Sequence, residues 1–143
     1  MYTVECSVGK LFEIRVQPPL SLEELQNFHP QVTRIYARVA GQVVGCTDLR
    51  NARVFSPEVA NMLMTIIRTE SPRVLRNAFL INEGAVFSMQ IARVLRTAGA
   101  PSRRAFLETD DAVSWLSETL SPTEIRRLGD FINTGVHPHV ASP

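Results

Sequence analysis

Residues 41–63 read GQVVGCTDLRNARVFSPEVANML. The segment opens on a glycine, and "QVVGCTDL" is a short apolar run of the kind found in strands buried on both faces of a parallel sheet. An arginine-bearing loop follows, and then Ser56-Pro57, a serine at N-cap with proline at the first helical position, which is a standard helix start. From there Val59, Met62, Leu63, Ile66 and Ile67 recur at helical spacing. Ala60 and Met64 widen that stripe until the helix is apolar over most of its surface. Such a helix is expected to be covered on more than one side, by the sheet and by a further element or a second subunit.

The same grammar extends in both directions. "YTVECSV" and "KLFEIRVQ", split by Gly9, read as a hairpin, although Leu11, Ile14 and Val16 break strict alternation and leave its register open. Pro18-Pro19 ends the second strand, and Ser21 with Glu24 forms a capping box. Leu25, Phe28, Val32, Ile35, Tyr36 and Val39 then continue at helical spacing, with Pro30 predicting a kink or two short helices. Downstream, "VLRNAFLIN" reads as a strand, Gly84–Ala98 as a helix with Phe87, Ile91, Val94, Leu95 and Ala98 inward, and "RRAFLE" as a last strand. Thr109 is expected to cap a helix carrying Ala112, Val113, Leu116 and Leu120, and Ser121-Pro122-Thr123-Glu124 opens another. The predicted order is ββαβαβαβα plus a C-terminal helix: an α/β domain with a mixed, mostly parallel sheet. Its expected divisions are a domain over 1–120, an appended helix over 121–134 and a mobile tail over 135–143.

Fifteen basic residues against 14 acidic ones leave a formal charge of +1, too little field to favour nucleic acid or an anionic membrane surface. Lys10 is the single lysine, so the basic residues are otherwise arginine, through codon bias or because guanidinium forks suit carboxylate and phosphate. No apolar run approaches the roughly 20 residues of a membrane span, and "MYTVECSVGK" lacks the features of a signal peptide, so a cytoplasmic address is expected. Cys6 and Cys46 stand far apart without a metal-binding spacing and are expected to be reduced core thiols.

Signatures of nucleotide, acyl-transfer or metalloprotease chemistry are missing: the chain has no GxGxxG, GxxxxGK[ST], GxSxG or HExxH. His137 and His139 have chelating spacing but fall in the aperiodic tail, where a general base could not be held in place. Asp110-Asp111 sit in a first helical turn, where the helix dipole favours negative charge. Trp115 reads as a packing residue. Arg103-Arg104 mark a strand entrance, either solvated or meeting an anionic partner. No enzyme activity, cofactor or metal is expected.

On "TDLRNARVFSPEVANML", the strand, helix and Gly99 that follow, and "RRAFLETDDAVSWLSE", the chain resembles STAS domains over about residues 2–120. These are the family of bacterial anti-sigma-factor antagonists and sulfate-transporter tails; the chain also looks like the divergent STAS-like proteins grouped with lipid-binding CRAL-TRIO domains. In the antagonists a strand ending in Asp-Leu leads to an Asp-Ser-Ser-Gly or Asp-Ser-Thr-Gly loop, and a kinase phosphorylates the second hydroxyl residue. Laid on this chain without gaps, the resemblance puts the strand Asp on Asp48, the loop Asp on Ser56, the phosphorylated position on Glu58 and the Gly on Val59. Glutamate cannot take a phosphate. Either Glu58 imitates the phosphorylated state or the loop serves without a kinase; a two-residue shift would instead make Ser56 the acceptor, at a helix N-terminus suited to phosphate.

The resemblance implies a non-enzymatic regulatory module that docks a kinase-like or anti-sigma-like protein, or a second copy of itself as a dimer, through Asp48, Arg50, Arg53, Phe55, Ser56, Glu58 and Met62. Two other roles stand beside it. One is carriage of a small ligand or lipid in a pocket beside the helix from Pro57 to Thr69. The other is a homo-oligomeric structural subunit that buries the helix from Thr123 to Asn133.

Overall fold

"LFEIRV" shows how the sheet is built. A strand turns successive side chains to opposite faces. In the computed structural model, which describes residues 1–135, Phe12, Ile14 and Val16 enter one core and Leu11 enters a second. Glu13 and Arg15 share Leu11's face and are paired there beneath the C-terminal helix. Alternation is therefore intact, and it was hidden in the sequence because both faces are covered and the second face carries paired charges.

Five strands, β1 (Tyr2–Val8), β2 (Leu11–Val16), β3 (Val43–Asp48), β4 (Val74–Leu80) and β5 (Arg103–Phe106), form one sheet in that spatial order. β1 pairs antiparallel with β2, with Val4 opposite Ile14 and an irregularity between Glu5 and Val8; every other pairing is parallel. The helices are α1 (Leu22–Tyr36), α2 (Pro57–Glu70), α3 (Ala85–Ala98), α4 (Thr109–Ser117) and α5 (Pro122–Thr134). The mixed α/β order expected from the sequence is the order observed.

α1, α2 and α3 cover the first face. The capping box at Ser21 and Glu24 forms as expected. Pro30, however, does not divide α1 into two helices: the helix runs on for 15 residues, with Leu25, Phe28, Val32, Ile35 and Tyr36 buried on both sides of the proline. That continuous apolar face outweighs the loss of one backbone hydrogen bond. α2 lies between α1 and α3. Its Ala60 and Met64 turn toward Gln90 and Val94 of α3, so its wide apolar surface has neighbours within the same chain.

α4 and α5 cover the second face, where Ala112, Leu116, Leu128, Phe131 and Ile132 pack on Leu11, Val44, Cys46, Ala78 and Leu80. Thr109 does not cap α4; Glu108 occupies the N-cap and Thr109 is the first helical residue. The guanidinium groups of Arg76 and Arg104 lie 5.0 and 4.9 Å from the Trp115 ring centroid, and Phe106 lies beside it. Cys46 is buried as expected, but Cys6 is only half-buried; both are free thiols. The tail predicted to be mobile lies, from residue 136 on, outside the described residues, as do His137 and His139. Among the described residues, no helix is long and apolar enough to cross a membrane.

Gly45 sits opposite Phe12 in the parallel β2–β3 pair, and a Cβ there would fall 1.9 Å from the Phe12 ring. Phe12 is fully buried and cannot swing away. Gly45→Ala is expected to lower stability by at least about 1–3 kcal/mol through overpacking, measured as the shift of the urea midpoint at unchanged slope.

Candidate functional site

β3 ends in Asp48, and the chain turns back over the C-terminal ends of the parallel strands before entering α2. Loops at this edge of an open α/β sheet are where such folds place binding surfaces. Asp48 itself faces inward and is 1% exposed. Its carboxylate accepts hydrogen bonds from Arg15 Nε at 3.1 Å, Arg50 Nε at 2.9 Å, Arg50 Nη2 at 3.0 Å and the Arg50 backbone N–H at 3.0 Å. The same guanidinium groups reach past it to the end of α5: Arg15 Nη2 donates to the Phe131 carbonyl and Arg50 Nη2 to the Ile132 carbonyl at 2.8 Å. These carbonyls belong to the last helical turn, which attracts positive charge; the Thr134 hydroxyl also donates to Phe131 O at 3.0 Å and the Gly135 N–H to Ile132 O at 3.2 Å. Gly135 closes the cluster so tightly that a Cβ there would meet Arg50, Asp48 and Arg15 within 2.8 Å.

Burial alone would raise the Asp48 carboxyl pKa, but the hydrogen bonds and charge of Arg50, joined by Arg15, hold it below the ordinary value. Asp48 and Arg50 therefore knit β3 to α5, and both are committed inside the fold.

The next residues form a pinned loop. Asn82, just past β4, donates through Nδ2 to the carbonyls of Arg50 and Ala52 at 3.2 and 3.0 Å. Gln90 of α3 holds both sides of the Phe55 backbone, accepting from its N–H and donating to its carbonyl, each at 2.8 Å. Phe55 is buried and meets Phe87 edge-on at 5.6 Å between centroids. Ser56 caps α2, its hydroxyl accepting from the Val59 N–H at 3.2 Å, and remains exposed, as do Arg53 and Glu58. Met62 is half-buried.

The predicted site residues therefore separate. Arg53, Ser56 and Glu58 share an outward surface; Asp48 and Phe55 are buried, Arg50 is tied to Asp48, and Met62 lies between these extremes. What the sequence reading missed is apolar: Val54, Val86 and Met89 are 53, 68 and 72% exposed. Val54 and Val86 line one open groove, with Arg53 and Asn82 in the same wall, and Met89 lies one turn of α3 further on. A readable signal existed, since both α3 residues fall off the inward stripe of Phe87, Ile91, Val94 and Ala98. Among the described residues, no group of three His, Cys, Asp or Glu side chains is placed to hold a metal ion. No protein-family model matches the chain, and a comparison with curated proteins finds no match.

Asp48→Asn leaves two guanidinium groups without their counter-charge and is expected to cost about 3–5 kcal/mol, read from urea melts at neutral pH. Because the folded pKa lies below the unfolded one, the contribution of Asp48 is complete above about pH 3.9 and fades as pH falls through the lower folded value. The wild type should therefore lose stability in that acidic window, and Asp48→Asn should show a shallower loss there. Ser56→Ala removes one cap hydrogen bond and should cost roughly 0.5–2 kcal/mol, while Glu58→Gln, exposed in the same turn, should cost less.

Proposed function

We propose that the chain is a non-enzymatic, STAS-like regulatory module that docks a protein partner on the surface running from Arg53 to Glu58 and across the N-terminal half of α3. The observation that carries this reading is the exposed apolar strip of Val54, Val86 and Met89 beside a loop pinned by Asn82 and Gln90. Exposed apolar side chains rimmed by polar ones mark interaction surfaces, and a loop already held in shape loses little entropy on binding. Arg53, Glu58 and Glu83 are exposed around the strip and supply charges of both signs for selecting a partner.

The STAS-like part of the proposal draws support from the strand order, with one antiparallel pair followed by parallel strands, and from the position of the loop between β3 and α2. The partner would be a kinase-like or anti-sigma-like regulator, with a second copy of the chain as the alternative occupant. Glu58 cannot take a phosphate, and the cap bond to Val59 N–H accounts for Ser56 without a switch, so docking is read as constitutive.

The double substitution Val86→Asp with Met89→Asp tests this surface. Both side chains point outward, so stability should stay within about 0.5 kcal/mol per site. Sizing with light scattering and affinity capture from the native host should show a stoichiometric partner, or a dimer, with the wild type and its loss in the variant. If wild type and variant behave alike in both measurements, the strip is not the docking surface.

A further inference from the structure

The first face of the sheet encloses a cavity of about 50 Å³ between the strands and helices α1 and α2. Most of its wall is apolar, including Leu25, Phe28, Ile66 and Phe79, but Thr47, Asn77 and Arg103 bring polar groups to it from the sheet and Tyr36 and Glu70 from the helices. Thr47, Asn77 and Arg103 lie on β3, β4 and β5, each at most 6% exposed, and Asn77 stands opposite Arg103 in the parallel register. Thr47 donates to Asn77 Oδ1 at 3.0 Å. Arg103 donates through Nη2 to the Ile67 carbonyl at 3.3 Å, while its Nε and Nη1 are buried with no hydrogen-bond partner.

A buried guanidinium normally has a carboxylate beside it, because an unpaired charge in the interior is costly. Among the described residues none lies within ion-pair distance of Arg103. The buried carboxylate of Glu70 lines the same cavity and favours the Arg103 charge from beyond contact distance, while its own close partner is His29 Nδ1 at 3.0 Å. Glu13, by contrast, receives both Nε and Nη2 of Arg127 at 2.7 Å, and Asp48 is held by two arginines. Arg103 lines the cavity with two donors that have no partner.

We propose that this cavity is a binding site for a small organic carboxylate, whose oxygens pair with the free donors of Arg103 and whose short alkyl part lies along Leu25, Phe28 and Ile66. Arginine presents planar donors matched to a carboxylate. The volume corresponds to roughly three to five water molecules, so the ligand is an acid of a few carbon atoms. A longer fatty acid presents the same head group, and chain length separates the two sources.

The test is titration calorimetry of the whole chain with sodium propionate, butyrate and octanoate, with sodium chloride and 1-butanol as controls. Saturable binding of propionate or butyrate is expected, absent with chloride and butanol, and weakened by roughly tenfold or more in Arg103→Met, as the loss of charged hydrogen bonds implies. Leu63→Phe, which narrows the cavity from a half-buried position, should also lose binding while leaving Arg103 in place; it decides the matter if Arg103→Met does not fold. Equal binding of butanol would make the cavity an apolar hole. Affinity rising on through octanoate would overturn the short-chain assignment. No binding of any acid, or a crystal structure soaked in butyrate with only water on Arg103, would overturn the site.

Discussion

The buried carboxylate of Asp48 holds the two faces of the molecule to one geometry. It ends β3 and pairs with Arg15 from β2 and Arg50 from the following loop, and through those arginines it reaches the carbonyl end of α5. The arrangement solves several electrostatic problems together. A carboxylate removed from water receives four donors; two guanidinium groups receive a counter-charge; and carbonyls at the negative end of a helix receive cationic N–H groups. Each component would be unfavourable alone at that depth. Two further charged contacts fasten the same helix, Glu13 to Arg127 and Lys10 to Glu124, so α5 is attached along its length by polar contacts as well as by Leu128, Phe131 and Ile132.

This construction leaves the outer part of the β3–α2 loop free to present side chains. Because Arg50 is drawn inward and Phe55 is wedged against Phe87, the backbone between them is fixed at both ends, and Arg53 and Val54 project from a rigid base. Sites on well-supported backbone hold their geometry better than sites on loose loops. The same logic separates the chain's two candidate recognition regions. The exposed apolar strip proposed for docking lies at the C-terminal edge of the sheet, and the Arg103 cavity lies beneath α1 and α2, with Phe55 lining the cavity and also anchoring the loop.

Element order was legible in the sequence because helical and strand periods are local properties, and Ser21, Ser56 and Ser121 mark helix starts chemically. Long-range pairing was not. The register of the hairpin stayed open because nothing local announces that Glu13 and Arg15 are partnered by Arg127 and Asp48, 114 and 33 positions away. Asp48 was recognisable as a strand-end acid but was assigned outward, to a partner. Arg103-Arg104 read as one basic pair at a strand entrance, yet strand alternation sends Arg103 into the first core and Arg104 over Trp115 on the other face. Pro30 does not end its helix, for the opposite reason: its local cost is real, and the burial of α1 against the sheet outweighs it.

The setting of Trp115 has a practical side. It is the chain's single tryptophan, and it lies within about 5 Å of two cations on the face opposite the cavity. Indole emission responds to nearby charge and water, so this fluorophore reports on the seam between α4 and the sheet and is blind to side-chain rearrangements confined to the α1–α2 layer. A change in its spectrum when something binds on the far side would mean that the sheet had transmitted the event through its own backbone.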